Sequence, residues 1–273
     1  MRKKIKTGML LLVLLAMVGF NTAQETNAAS KKTKSEELTF YIVRHGKTML
    51  NTTDRVQGWS DAVLTPEGER TAKAAGKGLK GITFQGAYSS DSGRAVQTAE
   101  LILKQSKHST KLNLQTDKRL REFNFGSYEG DLNEYMWKAI ADHQGITVQK
   151  FLDTMTPKSF ANSVAELDKN NVKAGTNWPA ENYKTITKRL TAGLNDITKK
   201  ESKKKEKENI LIVSHGLSIS ALLNILDNSF SPPKEGFKNA SVSVIRYKNG
   251  KYKIQKINDT SYLEKGLKEI KTK

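Results

Sequence analysis

Two segments of this chain are written in nearly the same way. Residues 41–46 read YIVRHG and residues 211–216 read LIVSHG: an apolar run, one polar residue, then His-Gly. Short runs without polar alternation read as strands buried on both faces, which requires helices on both sides of the sheet. In open α/β sheets, ligands bind at the carboxyl ends of the strands. Each run therefore delivers a histidine to the edge where ligands gather. Two of the four histidines in the chain sit in these matched settings. The pattern predicts an α/β fold, a three-layer α/β/α sandwich around a mostly parallel central sheet.

The intervening sequence fits that frame. Thr65 is a good N-cap with Pro66 at the first helical position, opening a helix to about Leu79. A short strand near 86–89 leads to Ser90 and Arg94, and a helix follows through about Lys104. Residues 112–115 alternate like a further strand. Residues 183–197 and 217–226 read as helices. Asn249-Gly250, between strands at 241–247 and 251–257, is a hairpin signal. Residues 128–180 have helical patches at 132–142 and 148–154 and no strand signal. They read as a helical insertion in one domain spanning 38–273. The run at 199–208, KKESKKKEKE, reads as a solvated helix end and loop.

Residues 1–28 read as a secretory signal peptide. Arg2, Lys3, Lys4 and Lys6 precede an apolar run at 9–20, and Thr26-Asn27-Ala28 offers a cleavage site. That run is about a dozen residues against the roughly 20 of a spanning helix, which weighs against an uncleaved anchor. Residues 29–37 read as a flexible leader. The expectation is a secreted or extracytoplasmic bacterial protein with no stable membrane insertion after cleavage. The chain has no Cys in 273 residues, which excludes disulfides, thiolate metal sites and Cys nucleophiles. The net charge of +18 favours weak binding to anionic polymers. No nucleic-acid reading module is recognisable, so no specific nucleic-acid partner is expected.

Arg44 adjoins His45, and Arg94 follows a strand at the start of a helix. Guanidinium groups present fixed forks that match phosphate oxygens. Two arginines and two imidazoles suit a phosphoryl dianion, and histidine is a competent nucleophile. Phosphoryl transfer needs in-line positioning and charge stabilisation, plus a proton donor for the leaving oxygen. Glu122, in RLREFNFGSYEG, is the best carboxylate candidate, with Glu129 as its competitor.

Six blocks then stand in order: VRHGKTMLN (43–51), QGWSDAVLTPEGERTA (57–72), SSDSGRAVQTA (89–99), LREFNFGSYEG (120–130), VSHGLSISALL (213–223) and NASVSVIRYKNGKYKIQKIND (239–259). On these motifs the chain resembles the histidine phosphatase superfamily, on its phosphoglycerate mutase-like branch. The resemblance implies that His45 is the nucleophile that becomes phosphohistidine. It implies that Arg44, Arg94 and His215 complete the phosphate pocket, and that Glu122 acts as general acid and then activates water. Asn51 matches a residue near the phosphate, and Gln57 and Gly58 match the loop after it. The implied substrate is a phosphorylated small molecule, and no metal or organic cofactor is implied.

The leading expectation is a secreted phosphatase acting on phosphomonoesters. The alternatives are a phosphoglycerate mutase-type phosphoryl transferase using the same intermediate, and a non-catalytic polyanion-binding module. Export and the FNFGSYEG segment favour the phosphatase. Two departures stand out. Trp178-Pro179-Ala180-Glu181-Asn182 replaces a Gly-Glu-Ser triplet, leaving Glu181 between a contact behind the site and a helix N-terminal charge. Asn258-Asp259 is followed by Thr260 where relatives commonly have His. His108 and His143 read as surface residues. Trp59, Trp137, Trp178 and Tyr128 read as packing, with Trp137 also a candidate pocket lining.

Overall fold

In chain order the elements are β1 (Glu37–Arg44), α1 (Met49–Thr52), α2 (Pro66–Leu79), β2 (Gly86–Ser89), α3 (Gly93–Leu103) and β3 (Gln115–Thr116). There follow α4 (Asn133–Gln144), α5 (Val148–Thr154), α6 (Pro157–Asp168), α7 (Tyr183–Glu201), β4 (Lys207–Ser214), α8 (Gly216–Leu226), β5 (Val242–Lys248), β6 (Lys251–Asp259) and α9 (Ser261–Lys271). The structure is a computed structural model that describes residues 37–106, 112–172, 178–204 and 207–271. The expected signal peptide, the leader up to residue 36 and His108 lie outside the described residues.

Among the described residues the sheet has six strands in the order β3-β2-β4-β1-β5-β6. The first four are mutually parallel, and β5 and β6 are antiparallel additions. Side chains alternate between faces along a strand. Phe40, Ile42, Ile210 and Ile212 therefore pack against α4–α8 on one side. Val43, Leu211 and Val213 pack against α2, α3 and Tyr262 of α9 on the other. Both faces are covered, so β1 and β4 are apolar throughout their centres. This is the expected three-layer α/β sandwich with a mostly parallel sheet, and it puts the carboxyl ends of β1 and β4 side by side.

Several elements differ from the sequence pattern. Glu37, expected as the last residue of the leader, is the first of β1 and is buried. The alternation at 112–115 predicted more strand than forms: only Gln115 and Thr116 pair, with Tyr88 and Ser89 of the four-residue β2. Leu112 and Leu114 still pack on the core, so their alternation reflects burial rather than a ladder. Helix α6 begins at a capping box in which Thr156 and Ser159 exchange side-chain bonds to each other's backbone N–H. The run at 199–208 is not wholly solvated: α7 extends to Glu201, β4 starts at Lys207, and Glu201 and Glu208 are buried. Trp178, expected to pack, is 61% exposed.

Candidate active site

Arg44 and Ser214 are register partners on adjacent parallel strands, so His45 and His215 leave the sheet together. The His45 N–H donates to the Ser214 carbonyl at 3.0 Å, tying the two motifs directly. The imidazole centroids are 5.1 Å apart with the planes at 59°. Both rings are buried. His45 Nδ1 lies 2.8 Å from the Gly46 carbonyl oxygen. A carbonyl only accepts, so Nδ1 carries the hydrogen and Nε2 keeps the lone pair. Burial, reinforced by the Arg94 and Arg44 guanidinium groups, holds His45 well below the usual histidine range. Burial, then Arg94 and His45, does the same to His215. Neutral imidazoles thus sit between permanent cations.

Arg94 is fully buried in the first turn of α3. Its Nη1 donates to the Ser60 carbonyl at 3.0 Å and to Asp61 Oδ1 at 2.8 Å, and its Nη2 to the Gly58 carbonyl at 2.7 Å. Arg44 Nη1 donates to the Phe237 carbonyl. A Cβ built on Gly216 would lie 3.4 Å from Arg44 Nε, so this guanidinium rests against the start of α8 beside His215. Thr48 donates its hydroxyl to Gln57 Oε1 at 2.6 Å, leaving Nε2 as the free end of that amide. Asn51 Oδ1 accepts from the Thr48 N–H at 3.2 Å, and the Asn239 amide donates to the His45 carbonyl at 3.0 Å. Among the described residues, Arg44 Nε, Arg94 Nε, Gln57 Nε2 and both ring nitrogens of His215 are buried without a hydrogen-bond partner. Buried donors left unmade are costly, and an oxyanion with many lone pairs can satisfy several at once.

The two competing carboxylates have different surroundings. Glu122 meets the N-terminus of α8: Oε2 accepts from Leu217 N at 3.0 Å, and Oε1 from Ser218 N at 2.8 Å and Phe123 N at 3.0 Å. The Ser218 hydroxyl lies 3.0 Å from Oε1 and also donates to the Arg121 carbonyl at 2.7 Å. Oε2 therefore has a single donor, the N–H of Leu217, which stands two residues along the chain from His215. Glu129 instead accepts four backbone N–H bonds, from Gly58 (3.0 Å), Trp59 (2.7 Å), Ser60 (2.9 Å) and Phe125 (3.0 Å). It pins the loop whose carbonyls hold Arg94. Gly58, expected beside the substrate, commits its N–H to Glu129 and its carbonyl to Arg94. A Cβ there would lie 2.1 Å from the Phe123 carbonyl oxygen, so close packing is what requires the glycine.

Glu181 is a contact behind the site. It forms a two-bonded pair with Arg189 at 2.8 and 2.7 Å, and both side chains are nearly buried. Arg189 also donates to the carbonyls of Arg119 (3.0 Å), Arg121 (2.7 Å) and Glu122 (2.7 Å). Glu181 Oε2 accepts from Asn124 N at 3.2 Å. The pair thus clasps the segment that carries Glu122. Trp59 donates its indole N–H to the Glu122 carbonyl at 3.1 Å, with the Arg121 guanidinium 4.8 Å above its ring. His143 is exposed, while Tyr128 and Trp137 pack against the core. Arg189, Asp61, Ser218 and Asn239 were not singled out from sequence. The last three lie inside the quoted motifs, which was an available signal; Arg189 carried none.

Residues 40–260 match the family model described as histidine phosphatase superfamily (branch 1). A probable phosphoglycerate mutase (GpmB) of Proteus mirabilis is 28% identical over 233 residues, covering 83% of this chain and 95% of the relative. A fructose-2,6-bisphosphatase, TIGAR B of Danio rerio, is 41% identical over 96 residues, 35% of this chain and 37% of the relative. Among solved structures, a phosphoglycerate mutase from Bacillus anthracis str. Sterne superposes with a TM-score of 0.79 at 38% identity, covering 87% of this chain and all of that one.

Proposed function

The chain belongs to the histidine phosphatase superfamily, a group of phosphoryl-transfer enzymes, and on that premise we propose that it is a secreted phosphatase that hydrolyses phosphomonoesters. The observation that carries this proposal is the pair of neutral imidazoles 5.1 Å apart, beside buried guanidinium and amide donors that lack partners. His45 Nε2, with Nδ1–H anchored on the Gly46 carbonyl, attacks phosphorus. The bond from phosphorus to the leaving oxygen breaks, and Glu122 gives that oxygen a proton. Arg44, Arg94, Gln57, Asn51 and His215 hold the three transferring oxygens. In the second half, the Glu122 carboxylate takes a proton from water, the oxygen attacks phosphorus, and the N–P bond breaks. Inorganic phosphate leaves and His45 is restored. Localisation outside the cytoplasm rests on the N-terminal sequence, and the substrate is a phosphorylated small molecule.

A second proposal, a mutase that returns the phosphoryl group to another hydroxyl, draws on the names of the 28% and 38% identical relatives. One experiment separates them. Wild type and His45→Ala are given an aryl phosphate, and both released phosphate and acid-labile phosphoenzyme are measured beside a coupled mutase assay. Phosphate release and labelling in wild type, and neither in His45→Ala, is the expected result. Wild-type turnover in His45→Ala would refute the nucleophile assignment, and mutase flux exceeding phosphate release would replace the phosphatase.

A further inference from the structure

The end of the sheet opposite the site carries an ordered array of cations. Strand register aligns Lys207 of β4, Glu37 of β1, Lys248 of β5 and Lys251 of β6 in one cross-strand row. The next row is Asn209, Thr39, Arg246 and Lys253. Paired residues, and residues two apart in a strand, share a face. These eight side chains therefore lie on one face at one end, and five are cationic against a single carboxylate. Lys207, Arg246 and Lys248 all reach Glu37, at 3.8, 2.6 and 3.7 Å. Lys251 and Lys253 are exposed beside them. Lys248 and Lys251 stand directly opposite each other, an arrangement that destabilises a strand pair. Glu208 falls on the other face by the same alternation. On that other face α7 also ends at this pole, with the exposed Lys199 in its last turn and Lys203 just after it, beside the buried Glu201.

This is also where the chain enters the fold. Lys31, Lys32 and Lys34 stand just before Glu37 in the sequence, downstream of the expected cleavage site. From this pole, the eight residues of β1 lead to the site, about 26 Å away at roughly 3.3 Å per residue.

We infer that this basic pole docks on an anionic lipid surface, with the candidate active site facing away from it. The two cationic rows supply charge complementarity, and a carboxylate shared by three cations leaves them strongly positive. The sidedness favours a lipid surface over a soluble polyanion. The cations are gathered at one end of the sheet, where β1 begins directly downstream in sequence of Lys31, Lys32 and Lys34, so a flat surface engages the whole array at once. This inference does not depend on the chemistry of the site.

The test is co-sedimentation of the full chain with vesicles of phosphatidylcholine, with and without phosphatidylglycerol, at rising salt. Each basic residue at an anionic surface is worth about fivefold in partitioning, so Lys248→Gln/Lys251→Gln/Lys253→Gln is expected to lose about 100-fold. The corresponding Lys→Arg triple retains binding. A wild-type circular dichroism spectrum and urea midpoint certify the fold. If the Gln triple unfolds, single Lys251→Gln and Lys253→Gln variants, each expected to lose about fivefold, carry the same test. Equal wild-type binding to both vesicle types, or undiminished binding of the folded Gln variants to the anionic vesicles, overturns the inference. So does wild-type binding to soluble polyphosphate, lost in the Gln variants, with no binding to anionic vesicles; that outcome assigns the pole to a polymer.

Discussion

Replacing Glu129 by Gln tests how one carboxylate holds the loop behind Arg94. Each Glu129 oxygen accepts two backbone N–H bonds: Oε1 from Trp59 and Phe125, Oε2 from Gly58 and Ser60. In Glu129→Gln one oxygen becomes an NH₂ group, so whichever way the amide turns, two N–H groups face a donor. Hydrogen bonds to charged acceptors are worth about 1.5–3 kcal/mol each, so the expected loss is about 3–6 kcal/mol. Against a typical total of about 5–15 kcal/mol, that is a large share. For a domain of this size it corresponds to a fall in Tm of roughly 6–24 °C. In Glu122→Gln the amide nitrogen can take the Oε2 position, where only Leu217 N is lost, at about 1.5–3 kcal/mol. Urea unfolding followed by tryptophan fluorescence gives both values, with an unchanged m-value as the check on two-state behaviour. Glu129→Gln within about 1 kcal/mol of wild type would refute the clamp. A folded Glu122→Gln that hydrolyses aryl phosphates at the wild-type rate would remove Glu122 as the acid.

Other perturbations have defined outcomes. His45 and His215 both have folded-state pKa values depressed well below 6.5, so the unfolded chain takes up more protons once pH falls below that value. The stability they contribute is complete above about pH 6.5 and is lost as pH falls toward the folded-state values; urea midpoints from pH 8 to 5 should show a slope that flattens in His45→Asn/His215→Asn. Gly58→Ala should give mostly insoluble or strongly destabilised protein, because its Cβ meets backbone at 2.1 Å; a wild-type midpoint would contradict this. Arg189→Met leaves the Glu181 carboxylate buried without its partner, at an expected cost of about 3–5 kcal/mol by denaturation, partly restored by adding Glu181→Gln.

The residues legible in the sequence were those whose position follows from a local rule. His45 and His215 could be placed because a buried strand must end somewhere, and parallel strands end at the same edge. Thr65-Pro66 marked the start of α2 for reasons internal to the first helical turn. Glu122 and Glu129 could not be told apart by any local rule. Their roles depend on which one meets the N-terminus of α8, 95 residues away, and which one meets the loop at 58–60. Arg189 was invisible because a basic residue on an amphipathic helix ordinarily faces water; here it reaches carbonyls of the 119–122 segment. Helix α9 went unassigned because of its glycine and its lysines. Gly266 is needed where α9 crosses α2, since a Cβ there would lie 1.8 Å from the Ala74 carbonyl oxygen. What was missed is tertiary contact, and one such contact explains a residue that local propensity counts against a helix.

The neighbouring placement of β1 and β4 has a bearing on biogenesis. Arg44 and Ser214 are adjacent in the sheet but separated by 170 positions in the chain. A nascent polypeptide therefore carries only part of the candidate active site until its last quarter has been synthesised. If it crosses a membrane unfolded, no phosphoryl-transfer activity exists in the compartment it leaves. Turnover itself then becomes a reporter of completed central strand pairing, usable to time refolding from denaturant without any attached dye.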